Sequence, residues 1–210
     1  MRPKIIILFS VMFLGLVRCG TRSNQPTIFI RDIPDFKNGH SLRLEGLSHS
    51  RDSLQLDTLE YGYDSIQIRL WVTYAIKDTF QIVSIKRHKN QWSGVYCETA
   101  LHYSMEHDSI LYYTKWEKPL YPKTGWQPFV DSLIKLNILI LPDCTKIKGY
   151  DFPFDGGNSV TFEISTVGQY RLYMYQLPGL NKNHFKEAAN VDNILKLVSY
   201  EFGIRYLGTF

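Results

Sequence analysis

The 210-residue sequence has no nucleophile elbow, no phosphate-binding loop and no closely spaced pair of cysteines. Its Ser, His and Asp residues are not arranged by any motif that would align a nucleophile with a base. No cofactor and no metal are therefore expected. Internal repeats are also missing, which excludes a solenoid or a propeller.

An excess of charge of one sign is missing too. The chain carries 24 Lys and Arg against 20 Asp and Glu. Residues 1–18 hold Arg2, Lys4 and Arg18 and no acids, so residues 19–210 carry 21 cations against 20 anions. A near-neutral domain with interspersed signs has no electrostatic footprint for nucleic acid, and none is expected as a partner. The basic run Lys86-Arg87-His88-Lys89 falls at an expected hairpin end and reads as a solvated turn.

The long apolar run is short by membrane standards. Ile5 to Val17 is 13 residues, too few to cross a hydrocarbon core of roughly 30 Å as a helix. Behind Arg2 and Lys4 it reads as the apolar region of an export signal. The stretch Leu16-Val17-Arg18-Cys19 resembles the lipobox of bacterial lipoproteins, with Arg18 where a small residue is usual. That resemblance implies a signal peptide over 1–18, a lipid on Cys19 and a membrane as partner. Residues 19–40 are polar, with Pro26 and Pro34 discouraging helix, and are expected to form a tether.

Cysteine is scarce after that point, with Cys97 and Cys144 alone remaining. An exported location permits a disulfide between them, worth roughly 4 kcal/mol for a loop of about 48 residues in the chain-entropy model. Two free buried thiols are the competing expectation.

What is abundant is aromatic and β-branched. Composition is 44% hydrophobic and 14% aromatic, with 14 Tyr, which suffices for a real core and favours pleated sheet. Residues 41–210 are expected to form a single α+β domain, a largely antiparallel sheet with two helices packed on one face. Ser41-Leu-Arg-Leu-Glu-Gly-Leu47 reads as a short strand. From Ile66 to Ile76 the large apolar residues fall at every second position, the period of a half-buried strand, with Trp71 on the other face. Further strands are expected over 79–88, 92–103 and 110–116, joined by short polar turns into a meander. Phe129, Leu133 and Leu136 give a helix over about 126–137. Val160-Phe162-Ile164 and Tyr170-Leu172-Met174 alternate around a Val167-Gly168 turn, a hairpin. A helix over about 184–202 stops at Gly203.

Candidate functional residues are few. His102, Glu106, His107 and Asp108 cluster but lack metal-ligand spacing. Asp151 and Asp155, beside Gly156, Gly157 and Asn158, form a loop able to wrap a cation or rim a pocket. Glu163 and Arg171 are candidates for a cross-strand ion pair. The stripe Arg171, Tyr173, Tyr175, and Trp71 on the first sheet strand, could form an aromatic binding surface if exposed, or core if covered.

At GWQPFVDSLIKLNILILPD, DGGNSVTFEI and YRLYMYQLP the chain resembles uncharacterised small lipoproteins of Bacteroidetes-type bacteria, over roughly residues 60–202. The resemblance implies the strand, helix and hairpin layout and no known activity. Surface-exported members carry acids after the lipidated cysteine; Gly20 to Gln25 has none, which implies a periplasm-facing protein. The leading expectation is a non-enzymatic binding module at the cell envelope with a protein or glycan partner. An immunity-type protein that blocks an incoming toxin is one version. The alternatives are an envelope hydrolase using Asp151, Asp155 or Glu163, and a purely structural envelope role.

Overall fold

The computed structural model describes residues 29–74, 79–104, 109–150, 157–205 and 207. Its strands are β1 (Ile30–Asp32), β2 (Ile66–Thr73), β3 (Thr79–His88), β4 (Gln91–Ser104), β5 (Ser109–Pro119), β6 (Ser159–Thr166) and β7 (Gln169–Gln176). Its helices are α1 (Leu42–Ser53), α2 (Trp126–Lys135), the single turn α3 (Pro178–Asn181) and α4 (Lys186–Phe202). The strands form one sheet in the order β1-β7-β6-β2-β3-β4-β5. Every neighbouring pair is antiparallel except β1 with β7. The chain is thus α+β with a mostly antiparallel sheet.

Period-two alternation divides the sheet into two faces. Ile68, Leu70 and Val72 of β2 join Val83 and Ile85 of β3, Phe162 and Ile164 of β6, and Tyr173 and Tyr175 of β7 in the main core. The apolar stripes of α2 (Phe129, Val130, Leu133) and α4 (Val191, Ile194, Leu195, Val198) close over them. Each such side chain stabilises the fold by roughly 1.5–3 kcal/mol on full burial. Gly94 of β4 makes room for this packing: a Cβ there would lie 2.8 Å from the Trp126 ring. Gly203 ends α4 in the left-handed conformation, as its position predicts.

The other face is covered by α1, which departs from the expected arrangement in two ways. The segment read as a short strand is a helix, and a helix lies on the side expected to be bare. Ser41 caps α1, accepting from the Leu44 amide at 3.0 Å. Leu44, Leu47, Arg51 and Leu54 recur at helical spacing, with Gly46 weakening the intrinsic propensity between them. Leu47 and Leu54 pack on Trp71, Phe80, Ile82 and Cys97, while Leu44 and Leu47 pack on Leu59, Tyr170 and Leu172. The stretch expected as tether to residue 40 already contributes β1 and the buried Ile33.

The two cysteines are free and buried. Cys97 belongs to the cluster under α1 and Cys144 to the main core, so the sheet separates them. A disulfide needs Cα atoms within about 7 Å and facing Cβ vectors, and this placement supplies neither side with a partner. The expected bridge is replaced by two buried thiols, each pushed up to about 11, chiefly by burial.

Candidate functional site

The stripe on β7 is core. Tyr173 and Tyr175 are fully covered, and their hydroxyls donate to the carbonyls of Ile138 at 2.5 Å and Pro142 at 2.7 Å. Arg171 donates to the carbonyls of Leu139 and Leu141 and to Asp32 Oδ2 at 3.0 Å. Three side chains at every second position of β7 thus satisfy four carbonyls of the irregular segment after α2. Their polar tips are consumed by the fold, and none forms an exposed binding surface.

Trp71 is buried as well, at the centre of the α1 face. Its indole Nε1 donates to Glu163 Oε2 at 2.6 Å. Arg69, directly opposite Glu163 in the β2–β6 register, donates to the same oxygen at 3.1 Å. The Tyr170 hydroxyl donates to Glu163 Oε1 at 3.1 Å. Both charges are 1% exposed. Glu163 therefore does not meet Arg171, whose register partner is Ile164. Enclosed by three donors, Glu163 has no route to a substrate in this arrangement.

Asp151 and Asp155 lie outside the described residues, as do Cys19, Glu106, His107 and Asp108. His102 bonds Thr114 across the β4–β5 pair at 3.2 Å. Among the described residues, no cluster of three His, Cys, Asp or Glu could hold a metal ion, and no helix is long and apolar enough to cross a membrane.

The structure instead assembles a site that no local pattern marks. Register aligns Val72, Gln81, Glu98 and Trp116 in one row across β2 to β5. The neighbouring row on the same face holds Leu70, Val83, Tyr96 and Lys118. The first row runs from Val72 in the core to the exposed Glu98 and Trp116, and the second from Leu70, Val83 and Tyr96 in the core to the half-buried Lys118. Gly203, Ile204 and Arg205, just after α4, form the wall of a cleft of about 520 Å³ over this floor. That volume lies within the range of small-ligand sites, roughly 300–1,000 Å³.

The cleft combines an open aromatic surface with oriented polar groups. Trp116 is 56% exposed, and Tyr96 meets it edge-on with ring centroids 6.0 Å apart. The Lys118 ammonium lies 5.4 Å from the Tyr96 centroid and 5.8 Å from that of Trp116. Tyr96 donates to Glu98 Oε2 at 3.1 Å, and Tyr74 donates to Gln81 Oε1 at 2.7 Å. Burial, with the Glu98 charge adding to it, pushes the Tyr96 hydroxyl well above its usual range. It therefore stays a proton donor, and Glu98 retains acceptor positions directed elsewhere. Glu98 is the one carboxylate among the described residues lining the cleft.

In sequence, Gln81, Glu98, Trp116 and Arg205 are 17, 18 and 89 positions apart in turn. The signal that existed was the alternation in each of three strands, which could have predicted the shared face once their registers were known.

No family model, curated protein or solved structure matches the chain.

Proposed function

We propose that this chain is a cell-envelope lipoprotein, held by a lipid on Cys19 and facing the periplasm, that works as a non-enzymatic saccharide-binding module. The observation that carries the reading is the exposed Trp116 in register with Glu98 and Gln81 on the floor of the cleft. A flat indole offers a surface for the C–H face of a sugar ring, and carboxylate and amide groups beside it hydrogen-bond ring hydroxyls. Rigid aromatic side chains do this at low entropic cost.

The tether geometry suits presentation of the cleft. Nine residues separate Cys19 from Phe29, so the ten steps between them reach at most about 36 Å. They lead to β1, whose Ile30 amide donates to the Gly168 carbonyl in the β6–β7 turn. That turn lies beside the first residue of β2, since Ile66 pairs with Thr166. The cleft opens toward the other end of β2, where Val72 pairs with Gln81, roughly 20 Å away along the strand. A lipid on Cys19 would leave the cleft on the side away from the bilayer.

The test is a saccharide array probed with the full chain, followed by titration of each hit against Trp116→Ala. Binding that weakens at least ten-fold in the variant, with unchanged thermal stability, is the expected result. If no saccharide binds and in-cell crosslinking from residue 116 captures a stoichiometric protein partner, the saccharide reading is wrong and an immunity-type role replaces it.

A further inference from the structure

The charge of the cleft goes one step further. Several cations elsewhere pair with carboxylates, Lys115 with Glu117 at 3.0 Å, Lys146 with Asp32 at 3.2 Å and Lys196 with Asp192 at 2.7 Å, while Arg31, Arg87 and Lys135 form no ion pair among the described residues. Lys118 and Arg205, both lining the cleft, form no ion pair among the described residues. Glu98 forms none either, and accepts instead from Tyr96. The described lining therefore holds two unmatched cations against one carboxylate.

Their placement is specific. The Lys118 ammonium lies against the faces of Tyr96 and Trp116, an attraction that orients it without using its three N–H donors. A ring stacked on Trp116 would thus have a positioned ammonium at its rim, Arg205 on the facing wall, and the Glu98 carboxylate beside it in the same row of the sheet. A neutral sugar would use Trp116 and Glu98 and leave both cations hydrated. A sugar bearing a ring carboxylate would use all four groups. Its hydroxyls would donate to Glu98, and its carboxylate would accept charge-assisted bonds from Lys118 and Arg205. Glu98 favours a monoanion with flanking hydroxyls over a dianionic phosphate, which it would repel.

We infer that the ligand of the cleft is an acidic saccharide of the uronic-acid type, recognised through its carboxylate by Lys118 and Arg205. This rests on the cleft being a saccharide site, and the experiment separates the two claims. The full chain is titrated calorimetrically with a panel of uronate-containing oligosaccharides, each paired with the same oligosaccharide after reduction of its carboxyl groups to alcohols. The expected result is at least ten-fold tighter binding of one acidic member than of its reduced counterpart. That preference should shrink as salt is raised, because part of the attraction is screened. It should fall in Lys118→Gln and be largely restored in Lys118→Arg, both with wild-type melting temperature. Equal binding of the acidic and reduced members would overturn the carboxylate claim and leave the saccharide site standing. Binding indifferent to both Lys118→Gln and Trp116→Ala would place the ligand elsewhere and overturn both, as would binding of neither member by a folded chain.

Discussion

Trp71 and Glu163 meet inside the fold, with the indole Nε1 donating to the carboxylate at 2.6 Å beneath α1. The two residues sit on adjacent strands, and the hydrogen bond runs diagonally, since the register partner of Trp71 is Thr161. Together with Arg69 and Tyr170 they make a polar node between the apolar clusters under α1. Desolvation of such a pair is costly, so its partners depend on one another.

Breaking that node from one side should be severe. Glu163→Gln keeps the volume but leaves the buried Arg69 without its counter-charge, and should cost about 3–5 kcal/mol. Replacing both residues, Arg69→Met with Glu163→Gln, removes the stranded charge while keeping an amide oxygen for Trp71 and Tyr170, and should cost less than that single change. Urea denaturation midpoints of the single and double variants check this; a double variant less stable than Glu163→Gln would refute it.

The tyrosine ladder on β7 makes a milder prediction. Tyr173→Phe removes the donor to the Ile138 carbonyl and leaves that carbonyl buried, at a cost of roughly 1–2 kcal/mol. The change should be felt locally. Hydrogen exchange of residues 136–142 should accelerate in the variant while that of β4 stays as in wild type.

The thiols should be inert in the native protein. Cys97 and Cys144 are buried, with pKa values pushed up to about 11, and thiolate is the reactive form. Alkylation by iodoacetamide at pH 8 should modify neither until denaturant is added. Mass spectrometry under non-reducing conditions should find both as free thiols. A 2 Da deficit assigned to Cys97 and Cys144 would contradict their placement on opposite faces of the sheet.

Acid should weaken the fold partly through Asp32. Burial pulls its carboxyl upward, but hydrogen bonds and charge from Arg171 and Lys146 outweigh this and hold it below its usual value of 3.8. A depressed folded-state pKa means that the unfolded chain takes up the proton first. The contribution is therefore present in full above about pH 4 and is lost as pH falls through the folded-state value. Asp32→Asn should lower stability at pH 7 and flatten the acid limb below pH 4. An unchanged limb in chemical denaturation at pH 3 to 5 would show that other groups carry it.

Alternation made most of the strands readable from the residues alone, because a half-buried strand repeats every two positions wherever it lies. The expected meander over 66–116 corresponds to β2 through β5, and the expected hairpin to β6 and β7. The helix over Leu42–Ser53 was hidden because Gly46 and its serines blur the stripe, and the leucines at 42 and 44 alternate as in a strand. The fate of Trp71, Tyr173 and Tyr175 was not readable either. Period two places a side chain on a face without saying whether that face meets solvent or a helix, and here Trp71 lies in the cluster under α1 while Tyr173 and Tyr175 lie in the main core.

The local order of apolar and polar residues determined the strands, the two long helices of the second half and the stop at Gly203, since each depends on neighbours a few positions away. The tertiary structure alone decided which faces are buried, that Cys97 and Cys144 are kept apart, and that Gln81, Glu98, Trp116 and Lys118 share one open surface. Those outcomes depend on the register between strands and on where the covering helices end. Both are set by long-range packing that no single segment encodes.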